Sequence, residues 1–285
     1  MKNCVKTELK KAFQNPMFYL ALGIAMLLVL WDVYTVGTEV QRMTERTIKR
    51  VAEGRGVGSS RGYCLWMMTI PYHGFSFSSR YYNLIWPLLA ALPSGWSYMS
   101  ERRSGLYNQI ASRCGAKRYY VSKYIAVFVS GGAAVSFPIL MDYLLCALVC
   151  PYGVLDPVGL GSPITSGYFL SRLFYTQPWL FGLIWCGIEF LWGGAAACLC
   201  FLLGARVRLA VLITVFPFAL LMLWSNIAVY LYSLPGWFLD LSPLDLFSPA
   251  PISANPGWLL FSLIGALTCL SFGVGYWQVV KHELG

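Results

Sequence analysis

The chain is poor in charge and nearly without histidine. Asp, Glu, Lys and Arg make up 12% of its 285 residues, aliphatic, aromatic, Met and Cys residues 58%, and there are two His. A soluble domain carries about a quarter charged residues, so this composition excludes one over any long stretch. A phosphate-binding motif of the form G-x-x-x-x-G-K-[ST] is also missing. The glycine-rich stretch at 54–62, GRGVGSSRG, lacks the Lys-Ser/Thr pair and does not join an apolar strand to a helix. No C-x-x-C or H-E-x-x-H pattern occurs. The expectation is therefore no catalytic residue, no metal site and no bound cofactor on this chain, and no nucleic-acid partner.

What is present is a series of long apolar runs. Crossing a hydrocarbon core of about 30 Å takes about 20 residues of helix. Six runs qualify: Met17–Val36, Tyr81–Ser100, Tyr124–Val149, Pro178–Leu203, Leu209–Leu234 and Gly257–Val280. The expected fold is thus one all-α transmembrane domain of six helices spanning residues 1–285. The first run is longer than a signal-peptide core and no small-x-small cleavage site follows it, so it reads as an uncleaved helix.

Charge sets the expected orientation. Lys and Arg resist translocation. They gather at Lys2, Lys6, Lys10 and Lys11, in the segment 101–123, at Arg206 and Arg208, and at Lys281. The loop at 150–177 has only Arg172, and the loop at 235–256 has no Lys or Arg. Both termini are then cytoplasmic, with 37–80, 150–177 and 235–256 as outer loops; His73 and His282 fall on opposite sides and cannot share a metal. The mixed charge of 37–80 carries little weight, because long loops cross regardless. Within it, Val40, Met43, Ile48 and Val51 predict a helix over 37–53, ahead of an apolar stretch at 63–72. Residues 2–15 predict an interfacial helix. Val5, Leu9 and Phe13 recur every four residues among lysines, and Asn15-Pro16 ends the segment.

The segment 101–123 is the most informative part. Arg102, Arg103, Arg113, Lys117, Arg118 and Lys123 face a single acid, Glu101. Gly105 permits a change of direction, after which Leu106, Tyr107 and Ile110 form an apolar edge that leads to Arg113. The arrangement of interfacial helix, first span, long outer loop, second span and basic inner segment resembles the permease subunits of type-2 ABC transporters. The best match is Glu101, Gly105, Arg113 and Tyr120-x-x-Lys123 entering the third span. That resemblance implies a coupling helix docked on a separate ATPase, with Tyr107 as the strongest anchor and Glu101, Arg102 and Arg103 at its base. It also implies ATP and Mg on that ATPase, a second permease, identical or homologous, and residence in the cytoplasmic membrane of a prokaryote. An exporter of an amphiphilic, peptide or lipid-like substrate follows; the competing reading is a six-span intramembrane enzyme or channel.

The family also implies short re-entrant helices between the last two spans. Residues 235–256 hold five prolines, too many for one helix, yet Trp237, Phe238, Leu241 and Phe247 are too apolar for a solvated loop. They are the expected outer gate. Inside the spans, Asp142 and Glu189 are costly in hydrocarbon and mark either a polar route or a helix–helix hydrogen bond. Small residues at 130–134 and 193–197 allow close helix approach. Of nine cysteines, most lie in spans; Cys64 and Cys150 fall on the outer side and could pair.

Overall fold

The computed structural model describes residues 2–54, 65–70, 76–150, 164, 167–204, 207, 209–234, 239–249 and 256–283. Among them it is all-α, with no strand. Thirteen helices follow in order: α1 (Lys2–Gln14), α2 (Pro16–Ala52), α3 (Leu65–Met68), α4 (Phe77–Ala91), α5 (Ser97–Arg103), α6 (Leu106–Cys114), α7 (Ala116–Val149), α8 (Ser171–Thr176), α9 (Pro178–Cys198), α10 (Cys200–Leu203), α11 (Ala210–Tyr232), α12 (Pro243–Phe247) and α13 (Gly257–Glu283).

Five helical stretches are long and apolar enough to cross a membrane: Pro16–Ala52, Ala116–Val149, Pro178–Leu203, Ala210–Tyr232 and Gly257–Val279. The architecture is that of a multi-pass membrane protein. The run expected as a second span behaves differently. It is split into α4 of 15 residues, a turn, and α5 of 7. Proline accounts for the break. Pro87 lies inside α4, and Pro93 and Gly95 occupy the turn. At 1.5 Å per residue α4 covers about 22 Å, short of the hydrocarbon thickness.

Two helices outrun their apolar cores. The helix expected over 37–53 is not a separate outer element but the continuation of α2, which has 37 residues and reaches about 55 Å. Its last turns carry Glu39, Arg42, Glu45, Arg46, Lys49 and Arg50, and Arg42 pairs with Glu39 at 2.9 Å. Likewise α7 begins eight residues before the expected third span, at Ala116, so Tyr119, Tyr120 and Lys123 share one rod with the membrane segment.

The centre of the bundle is α7 against α9. The two runs of small residues face each other there. A Cβ on Gly131 would strike the Ala197 side chain and come within 2.8 Å of the Ala90 carbonyl; one on Gly132 would lie 2.6 Å from the Phe190 carbonyl. Lipid tails are as apolar as leucine, so such close backbone packing, not hydrophobic exclusion, holds helices together here. The small residues serve contacts within the chain. Around this pair, α2 and α4 pack on one side and α13 on the other.

At the end of the bundle where α12 sits, Trp86 of α4 stacks on Phe247 at 4.5 Å and 7°, and Trp185 donates to the Phe247 carbonyl at 3.1 Å. Of the pair of short helices expected over 235–256, α12 is the one described; Trp237 and Phe238 lie outside the described residues. So do His73, Cys64, Arg206, Arg208 and the glycine-rich 55–62.

Gly131→Ala should lower the thermal unfolding midpoint of the detergent-solubilised protein, at a cost of about 1–3 kcal/mol for overpacking. Gly187→Ala, where no atom lies within 4 Å of the new methyl, should leave it unchanged. Equal midpoints for both variants would contradict the α7–α9 contact.

Candidate functional site: an ionic junction beneath a short helix

The densest polar construction joins α1, α5 and α7. Lys123 is 3% exposed, and its Nζ lies 2.8 Å from Glu8 Oε2 and 2.8 Å from Glu101 Oε1. Lys11 completes the set, 2.8 Å from Glu8 and 3.5 Å from Glu101. Two carboxylates therefore meet two ammonium groups, and the cluster is neutral. Tyr119, one turn before Lys123 on the same face of α7, donates its hydroxyl to Glu101 Oε2. A cavity of about 420 Å³ opens beside the cluster, bounded also by Asn15, Ser94, Ser97 and Ser100.

Local structure brings these groups together. Asn15 caps α2 by accepting from the Met17 amide at 3.1 Å, and its side-chain amide donates to the Pro93 carbonyl at 2.7 Å. The turn between α1 and α2 is thereby pinned to the break between α4 and α5. The stripe of α1 buried against the rest of the chain is Glu8 and Ala12, with Val5, Leu9 and Phe13, the expected membrane-facing side of the interfacial helix, half-buried at its flank. The reason is electrostatic. Lys123 is already out of water, and only the face carrying Glu8 can neutralise it.

The protonation of Glu101 follows from its neighbours. Burial pushes its carboxyl up, but the charge and hydrogen bond of Lys123, the Tyr119 hydroxyl and the charge of Lys11 outweigh this, and it sits below its ordinary 4.5. For Lys11, burial lowers the value, and Glu8 and Glu101 more than reverse it, to above 10.5.

Next to the junction stands α6, nine residues long and bracketed by Gly105 (φ 75°) and Gly115 (φ 82°). Both glycines adopt the left-handed backbone that other residues rarely tolerate, which confirms Gly105 as a change of direction. The expected apolar edge does not hold together. Tyr107 turns inward between Tyr98 and Tyr119, with ring centroids 6.4 and 5.4 Å away, and Ile110 also packs on the core. Arg102 lies over the rings of Tyr98 and Tyr107 at 5.8 and 5.7 Å. Leu106, 37% exposed, remains on the outer face with Arg103, Asn108, Gln109, Ser112 and Arg113. At the end of α6, the Cys114 thiol is 3.2 Å from that of Cys4.

The intramembrane carboxylates occupy different surroundings. Asp142 accepts from the Ile70 amide at 2.7 Å and so anchors the segment 65–70 onto α7. Asp32, absent from the sequence-based candidates although it too stands in an apolar run, accepts from Ser76 and Ser78 at 2.9 and 2.5 Å. Donor atoms of Asp32, Asp142 and Cys146 lie within 4.8 Å of one another, an oxygen–oxygen–sulfur set close enough to share a cation. Glu189 is fully buried, and neither carboxyl oxygen has a hydrogen-bond partner among the described residues. Of the expected outer gate, Phe247 is buried and Leu241 half-buried.

Sequence reasoning finds Glu101 at the base of α6; its cluster partners Glu8 and Lys11 are missed. A lone acid among the lysines of an amphipathic helix was the available signal for Glu8.

Lys123→Met should leave Glu8 and Glu101 with Lys11 alone as a cation and cost up to about 3–5 kcal/mol. Glu101 adds a pH signature. Its depressed pKa contributes stability fully present above 4.5 and lost as pH falls through the lower folded value. The stability gap between wild type and Glu101→Gln, read by thermal unfolding, should therefore close in acid. A gap that widens on acidification would refute the pairing. Glu189→Leu should not reduce thermal stability, because it removes a buried group with no partner; a large loss would place a hidden partner at that carboxyl.

Comparison with known proteins places the chain in no established family: no family model matches it, and no curated protein does.

Proposed function

We propose that the chain is the permease subunit of an ATP-driven exporter of the type-2 ABC class, with α6 as the helix that meets a separate ATPase. The observation that carries this reading is the construction around α6. A short helix set between two left-handed glycines projects a polar and basic face with one exposed leucine. Its inner face is tied through Tyr107, Tyr98 and Tyr119 to the rod that runs through the membrane. A push on α6 would be delivered to α7 through packed rings and through Glu101–Lys123, with little slack to absorb it.

In this reading α4 and α5 together make the remaining crossing, for six in all, with both termini cytoplasmic in the inner membrane of a prokaryote. Two copies, or this chain and a homologous one, enclose the route of an amphiphilic, peptide or lipid-like substrate. ATP and Mg reside on the ATPase. The sequence pattern supports the basic inner side, and the lateral lipid-facing surface supports an apolar cargo. In this reading Glu189 and Asp142 belong to the intramembrane polar path, and Leu241 and Phe247 to an outer gate completed by Trp237 and Phe238, which lie outside the described residues.

The structure changes which side chains should matter. Leu106 and Arg113 face outward, so Leu106→Asp and Arg113→Glu should each weaken ATPase recovery with the permease by about 1–3 kcal/mol, roughly 5- to 150-fold. Tyr107→Ala should act by loosening α6. The measurement is pull-down from native membranes, with mass spectrometry for a subunit carrying a Walker lysine. Recovery of no such subunit with the wild-type chain would reject the reading.

A further inference from the structure

We infer that Cys4 and Cys114 form a thiol pair that closes to a disulfide and ties α1 to the end of α6. The two sulfurs are 3.2 Å apart although the residues are 110 positions apart in sequence. A disulfide needs about 2.0 Å, so roughly 1.2 Å of approach suffices. Both residues are thiols in the structure, and both are half-buried, within reach of small reagents. Each sits near a helix end, Cys4 in the first turn of α1 and Cys114 as the last residue of α6. Gly115, with φ 82°, follows Cys114 and separates the end of α6 from the start of α7.

The other described cysteines differ in kind. Cys146, Cys150, Cys186, Cys198 and Cys200 are buried, and Cys269 is exposed on α13. The Cys4–Cys114 pair is instead where two surface helices meet. Reactive cysteines are the accessible ones, whereas cysteines buried in apolar cores are inert. The Cys114 thiol is held above its ordinary value, first by the bond to Cys4 and then by burial.

The reaction needs a two-electron oxidant, of which a peroxide is the simplest class. One thiol loses its proton and attacks a peroxide oxygen, giving a sulfenic acid and the first water. The second sulfur attacks that sulfenic sulfur, the S–O bond breaks, and the second water leaves with the remaining thiol proton. Two thiols and one hydrogen peroxide give one disulfide and two waters; each sulfur is oxidised by one electron and the peroxide is reduced. Reduction by a dithiol reverses the link. The consequence is a redox latch. With α1 seated through Glu8 on Lys123, a disulfide would hold the far end of α6 to that same anchored helix. This rests on the thiol geometry and not on the identity of whatever α6 meets.

The test uses the full chain in membranes, treated with hydrogen peroxide, blocked with N-ethylmaleimide and digested with trypsin without reductant. Cleavage after Lys2, Lys6, Arg113 and Lys117 leaves the cysteines on two short peptides, residues 3–6 and 114–117. The expected product is these two peptides joined, two hydrogens lighter than their sum, lost with dithiothreitol and absent in Cys4→Ser and in Cys114→Ser. Amide exchange over 106–114 should slow on oxidation in wild type and not in either variant. Two singly alkylated peptides after peroxide, a link between different chains, or a joined pair with unchanged exchange would each overturn the latch. Because neither thiol takes part in the ionic cluster, both serine variants should fold.

Discussion

Lys123 is the constraint on which the half of the molecule built from α1, α5, α6 and the start of α7 depends. An ammonium at 3% exposure is held only because Glu8 and Glu101 each lie 2.8 Å away. Taking such a charge out of water costs several kcal/mol, repaid only by near-ideal geometry. That requirement dictates which face of α1 is buried, where α5 must end, and why Tyr119 stands over Glu101. Three elements from residues 2–14, 97–103 and 116–149 are brought into one assembly by a neutral set of four charges.

Neutrality gives the junction a second property. Its attraction comes from short contacts and not from net charge, so it is directional. Glu101 belongs to α5 at the foot of α6, and Lys123 belongs to the rod that packs on α9. A displacement of α6 has two routes into the bundle, one through the ionic contact and one through the rings of Tyr107, Tyr98 and Tyr119. Above that level the α7–α9 contact contains glycine and alanine backbones in near touch, which leaves little room for one helix to slide on the other. The lower half is built to transmit displacement and the middle to resist deformation.

The carboxylates of the other half follow a different rule. Asp32 accepts from the Ser76 and Ser78 hydroxyls and Asp142 from the Ile70 amide, so each ties a segment of 65–78 to a long helix. Glu189 has neither oxygen partnered among the described residues. Unpartnered buried polar groups are rare because they cost stability without return, so Glu189 is where a structural explanation is weakest and a functional one has most room.

By itself the sequence determined that the chain is helical and made for a membrane, since apolar runs of about 20 residues admit no other backbone-satisfying arrangement there. It also determined the interruption at Asn15-Pro16, the turn at Gly105 and the close-packing role of the two small-residue stripes, because each follows from local backbone chemistry. Tertiary structure alone decided the rest. The second apolar run reads as a span by hydropathy, but Pro93 and Gly95 break it where Asn15 meets it. Tyr107 and Ile110 read as an exposed edge, but the rings beside them draw them inward. Glu8 and Lys11 are more than a hundred residues from Lys123, as Cys4 is from Cys114, and no periodicity records that they meet. Proximity of that kind arises from how helices cross, which depends on which buried charge must be neutralised.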